Sequence, residues 1–127
     1  MSSRRKIKAR GHIPGQWTGL RWEVLDSPAW KATSPGARWL YVCLLRRLSY
    51  NAFNNGKVFR STREAAKEIA ADHRSVWIWF KELEYYGFIV MTEPGSMGPI
   101  GRAPRWRITD MAWGELDGRP VEATKDY

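Results

Sequence analysis

Cysteine and histidine are scarce in this chain: its 127 residues include one cysteine, Cys43, and two histidines, His12 and His73. One cysteine cannot staple a secreted fold, and three such side chains cannot supply the four ligands of a usual structural zinc site. Disulfide scaffolds and zinc fingers are therefore excluded. No stretch reaches the roughly 18 apolar residues that span a bilayer, and the N-terminus lacks the apolar middle of a signal peptide. A soluble, cytoplasmic chain is expected. No Ser/His/acid or Cys/His set stands out, and no phosphate-binding glycine motif precedes a helix pattern. The expectation is a protein that is not an enzyme and needs neither metal nor cofactor. There is no internal repeat and no sign of a second domain.

What is present is charge of one sign. Lys and Arg number 21 against 13 Asp and Glu, a formal net charge of +8. With 43% hydrophobic residues, a domain of this size buries roughly two-thirds of the surface its unfolded chain exposes. The charge is uneven along the chain. Residues 1–60 hold twelve basic and two acidic residues, 61–90 hold four and five, 91–109 hold three and one, and 110–127 hold two and five. Arg4, Arg5, Lys6, Lys8 and Arg10 crowd the front. That asymmetry is the footprint of a polyanion binder, and also of a merely solvated basic leader. A membrane surface is disfavoured, because Gly11, Pro14 and Gly15 follow the basic run where an amphipathic helix would be needed.

Local signals divide the chain into a basic flexible arm (1–19), a folded unit (20–109) and an acidic tail (110–127) that orders only if something docks it. Leu20, Trp22 and Val24 alternate with charged residues and predict a short extended piece. Ser27-Pro28 and Ser34-Pro35 each read as a helix start, serine capping and proline at the first position. The second opens a helix through WLYVCLLRRLSY whose Trp39 to Leu45 are all apolar, which predicts burial on most sides, with Cys43 a small core residue. Arg46 and Arg47 end it favourably against its dipole. NAFNNG marks a turn and KVFR a short strand. Ser61-Thr62-Arg63-Glu64 is a capping box for TREAAKEIA, whose inner face is Thr62, Ala65, Ala66 and Ile69, with Arg63, Glu64, Lys67 and Glu68 outside. Asp72 caps HRSVWIWFKELEYY, and Gly87 ends it. FIVMTE and RWRIT are strands joined by PGSMGPIGRAP, a loop of three glycines and three prolines.

A short helix, a tight break at Ala71 and a longer capped helix make a helix-turn-helix. With the glycine-rich basic hairpin behind it, the expected fold is mainly α with a small β-hairpin wing, a winged helix-turn-helix. At about 100° per residue, Val76, Trp79, Phe80 and Leu83 of the helix over 72–86 turn inward. Arg74, Ile78, Lys81 and Tyr85 turn outward, flanked by His73 and Trp77 on one side and Ser75 and Glu82 on the other. Arg74, His73 and Ser75 suit base edges or a phosphate, and Lys81 a phosphate.

LDSPAW, NNGKV, STREAAKEIA, KELEYYGFI and RWRIT together resemble the winged helix-turn-helix family of bacterial DNA-binding regulators, in particular short members on chromosomes, plasmids and other mobile elements. The resemblance runs from about Leu20 to Thr109, roughly seventy per cent of the chain. It implies binding of double-stranded DNA. The helix over 72–86 would lie in the major groove, reading bases with His73, Arg74, Ser75, Trp77, Ile78 and Lys81. The backbone or minor groove would meet Arg102, Arg105 and Arg107 of the wing, Ser61 and Thr62 at the preceding helix start, and the arm residues Arg4, Arg5, Lys6, Lys8 and Arg10. Trp77 and Ile78 depart from the small or polar residues usual there. They could touch thymine methyls, bind a protein partner together with Tyr85, or pack against the wing or arm.

The leading reading is a sequence-specific duplex-DNA-binding transcriptional regulator, nucleoid-associated when bound, acting as a homodimer or a cooperative assembly on DNA. The alternatives are a replication or recombination accessory protein of a mobile element, and a winged-helix protein-interaction module. Single-strand binding is suggested by eight tryptophans, but most of them fall on predicted core faces.

Overall fold

The computed structural model of the protein describes residues 14–48, 54–96, 101–111, 113–116 and 119–127. The piece expected to be extended is instead a short helix, α1 (Trp22–Asp26). The Arg21 carbonyl accepts from the Val24 and Leu25 amides at 3.0 and 3.2 Å, so Val24 turns into the core while Trp22 stays 82% exposed. Alternation over five residues fits one helical turn as well as a strand.

Both Ser-Pro pairs open helices. The Ser27 and Ser34 hydroxyls accept from the amides of Trp30 and Ala37 at 3.2 and 3.3 Å, ahead of α2 (Pro28–Ala32) and α3 (Pro35–Leu45). Ala37, Leu40, Tyr41, Cys43, Leu44 and Leu45 of α3 are buried, but Trp39 is 57% exposed. This corrects the expectation of burial on most sides: about 200° around the helix from Ala37, Trp39 stands opposite the packed face. Arg38 binds α3 back to α2, its guanidinium donating to the Thr33 hydroxyl and carbonyl at 3.1 and 2.8 Å.

The two asparagines of NNG have separate tasks. Asn54 donates to the Arg47 carbonyl just past the end of α3 at 2.7 Å. Asn55 is buried, and its side-chain amide both accepts from the Ile108 amide at 2.7 Å and donates to the Ile108 carbonyl at 2.9 Å, as a strand neighbour would. Next come β1 (Val58–Phe59), α4 (Thr62–Ile69), α5 (His73–Tyr85), β2 (Ile89–Glu93) and β3 (Arg105–Ile108). The three strands form an antiparallel sheet in the order β1-β3-β2, with Val58 and Met91 both opposite Trp106. Among the described residues the architecture is thus mainly helical, five helices with an antiparallel hairpin packed against them. No helix there is long and apolar enough to cross a membrane.

Trp30, Tyr41 and Phe88 meet edge to face at 5.4–5.7 Å in the core, and Phe80 of α5 stacks on Trp106 of β3 at 5.5 Å. The chain beyond Thr109 is not a tail waiting for an outside partner. It forms a second hairpin, β4 (Trp113–Leu116) with β5 (Arg119–Val121), and then docks on the body. The Lys125 amide donates to the Thr109 carbonyl at 2.8 Å, and the Tyr127 ring stacks on Phe88 at 5.0 Å. The Tyr127 hydroxyl donates to Asp110 at 2.6 Å, and Arg21 holds both oxygens of the same carboxylate. Burial and the bond to Asp110 push the Tyr127 hydroxyl up to about 12. Gly87, at φ +83°, leaves room for this docking: a Cβ there would stand 2.4 Å from the Asp126 carbonyl oxygen.

Candidate nucleic-acid interface

The pair α4 and α5 is set by its caps. The Ser61 hydroxyl accepts from the Glu64 amide at 3.0 Å, but Glu64 takes the serine hydroxyl at 3.0 Å rather than completing the reciprocal box through the Ser61 amide. Ala70 ends α4 in the left-handed conformation (φ 55°). Asp72 then starts α5, accepting from the amides of Arg74 and Ser75 at 3.2 and 3.4 Å. With three residues between the helices, Ala70 to Asp72, their relative angle is fixed by those two ends and by packing behind.

That packing seats α5 on α3. The Glu82 carboxylate accepts from both the backbone amide and the hydroxyl of Ser34, the latter at 2.9 Å, so an outer-flank residue of α5 caps the start of α3. The Trp79 indole lies directly over Gly36, where a Cβ would stand 2.1 Å from two ring atoms. Val76, Phe80 and Leu83 are buried as their spacing predicts.

With that face committed, the opposite face of α5 stands largely exposed among the described residues. His73 and Arg74 are exposed and Ser75 is half-buried. Trp77 and Ile78 are each 55% exposed and Tyr85 81%. The Lys81 ammonium stands 5.6 Å from the centre of the Trp77 ring and 3.9 Å from Glu84. Trp77 is thus more than half exposed among the described residues.

The remaining predicted residues divide. Arg102 is exposed at the end of the hairpin loop, where Ser96 and Arg102 pair through two 3.0 Å bonds. Arg105 is half-buried and faces Glu93 at 3.3 Å. Arg107, expected to face the backbone or minor groove, is instead 9% exposed and donates to Thr124 of the C-terminal segment at 2.7 Å. Ser61 is likewise committed, as a cap, and Thr62 is half-buried. Arg4, Arg5, Lys6, Lys8 and Arg10 lie outside the described residues.

Arg63 and Lys67, outward on α4, are exposed; their place on the outer helical face was the available signal. Arg46 and Arg47 do more than answer a dipole. Together with Arg60 they pair with Glu68, whose side chain is 12% exposed although its spacing put it outside. Burial raises the Glu68 carboxyl, but Cys43, Arg60 and Arg47 outweigh that and hold it below the ordinary glutamate value. Burial and the same carboxylate push the Cys43 thiol up to about 11. Trp22 and Trp39, expected against the body, are more than half exposed, as are Trp17 and Trp77, while Trp30 and Trp106 are buried.

Among the described residues no group of three or more His, Cys, Asp or Glu is placed to hold a metal ion. No protein-family model, curated protein or solved structure matches the chain.

Proposed function

We propose that this chain is a winged helix-turn-helix protein that binds double-stranded DNA by sequence, and that it serves as a transcriptional regulator. The observation that carries the reading is the two-sided α5. One side is locked to α3 and β3 through Glu82, Trp79 and Phe80, and the other presents Arg74, Ile78 and Lys81 without cover among the described residues. The helix–strand–helix–helix–hairpin order and the β1-β3-β2 sheet support the winged form. In this reading α5 enters the major groove, wide enough to admit a helix. Arg63 and Lys67 of α4, Arg102 of the hairpin and the basic arm grip phosphates, supplying affinity without sequence information.

Selection from a random duplex library tests this. A recurrent motif enriched at moderate salt is the expected result, and a palindrome would add that the chain acts as a dimer. Enrichment of no motif contradicts the proposal. A second reading, stacking of single strands, is favoured by the four tryptophans that stand exposed. Competition separates the two: single strands that displace a bound duplex at equal concentration support stacking, and failure to displace supports the duplex.

A further inference from the structure

The exposed face of α5 has an unusual composition for a reader of base edges: its centre is an isoleucine. Arg74, Ile78, Lys81 and Tyr85 lie within about 40° of one line along the helix, with Trp77 beside them. The Lys81 ammonium sits over the Trp77 ring at 5.6 Å, so the indole is turned along the flank and Ile78 is left projecting from the middle, 55% exposed. A β-branched side chain is stiff, and one held on a packed helix presents its methyl groups at a fixed depth.

The charges exposed on α4 and α5 indicate what it meets. On the α4 and α5 surface, Arg63, Lys67, His73, Arg74 and Lys81 are exposed. Of the neighbouring carboxylates, Glu64 and Glu84 stand against Arg60 and Lys81 at 3.1 and 3.9 Å, and exposed Asp72 caps the Arg74 and Ser75 amides at 3.2 and 3.4 Å. An apolar protein partner would have to bury these cations, whereas protein interface cores are depleted of charge. A duplex offers phosphates to the cations and one apolar group in the major groove, the thymine 5-methyl.

Resting on the DNA-binding reading above, we propose that Ile78 is a specificity-determining residue that reads a thymine methyl, and that Arg74 reads a guanine about two base pairs away. The spacing follows from four residues of helix rise, about 6 Å, against about 3.4 Å per base pair. Lys81, one turn further, meets the phosphates at the groove edge, with Trp77 steering its ammonium.

The test uses the full chain and its selected duplex. Each thymine is replaced in turn by deoxyuridine, which lacks only the 5-methyl, and affinity is read by fluorescence anisotropy for the wild type, Ile78→Ala and Arg74→Ala. One thymine is expected at which the replacement weakens the wild type about fourfold, the worth of one buried carbon, but leaves Ile78→Ala unchanged. A guanine two positions away should be the one whose 7-deaza replacement harms the wild type and not Arg74→Ala. Ile78 is exposed, and circular dichroism confirms that the variant is folded. Specific duplex binding in which wild type and Ile78→Ala respond alike to every thymine replacement overturns the methyl reading and leaves DNA binding intact. Failure to select any duplex removes both.

Discussion

Gly36→Ala should destabilise this protein, although alanine is the better helix former. Glycine costs a helix about 1 kcal/mol relative to alanine, so propensity alone predicts a gain of up to that amount in α3. Against it stands the Trp79 indole, with ring atoms 2.1, 2.1 and 2.7 Å from the position the new methyl would take. No small adjustment clears such an overlap, so the indole must swing out. Trp79 is half-buried. Losing about 100 Å² of its apolar contact at about 25 cal/mol per Å² costs about 2.5 kcal/mol. The net is a loss of about 1.5–2 kcal/mol, or a Tm lower by about 6–8 °C in a chain of this size. Urea denaturation followed by circular dichroism reads it. Trp79→Leu, which removes the ring, should abolish the penalty, so the two substitutions will not add. A Gly36→Ala protein as stable as the wild type, or more stable, refutes the claim that this contact seats α5.

Two more predictions concern charge. Glu68→Gln should cost about 1–2 kcal/mol at pH 7, less than a fully buried pair because Arg46 and Arg47 keep water contact. Because the folded carboxyl titrates below its ordinary value of 4.5, the folded state binds fewer protons there. The wild-type advantage is complete above that pH and is lost as pH falls below it; an equal gap at pH 7 and pH 3.5 in urea melts contradicts this. Removing residues 1–10 takes away five cations and should weaken cognate and scrambled duplexes alike, flattening the log–log salt dependence by about four to five if each meets a phosphate. An unchanged slope means that the arm does not touch DNA.

The elements that could be read from the sequence are those specified by neighbours in sequence. Ser27, Ser34, Ser61 and Asp72 each cap a helix within three residues, and Gly87 stops one, so α2 to α5 begin where the residues indicate. The inner face of α5 follows from period alone. What escaped depends on distant partners. Nothing near Asp110 announces that Arg21 and Tyr127 will converge on it, and Arg107 looks like a wing cation until the chain returns to cover it. Glu68 reads as outward on its own helix, yet α3 and the residue after β1 close over that side. Trp39 and Trp22 show the converse, since apolar residues on short helices still have an outward side. At the candidate interface, the outward placement of Arg74, Ile78 and Lys81 and the capping by Ser61 follow from period and spacing, whereas the burial of Arg107 needed the packed structure.

The most direct measurement compares Arg74→Ala with the wild type on the selected duplex and on a scrambled one. If α5 reads bases through Arg74, the substitution weakens cognate binding by about 1–3 kcal/mol, roughly 5- to 150-fold, and scrambled binding by no more than about threefold. Equal losses on the two duplexes would show that Arg74 meets only the backbone and that α5 is not the reading helix.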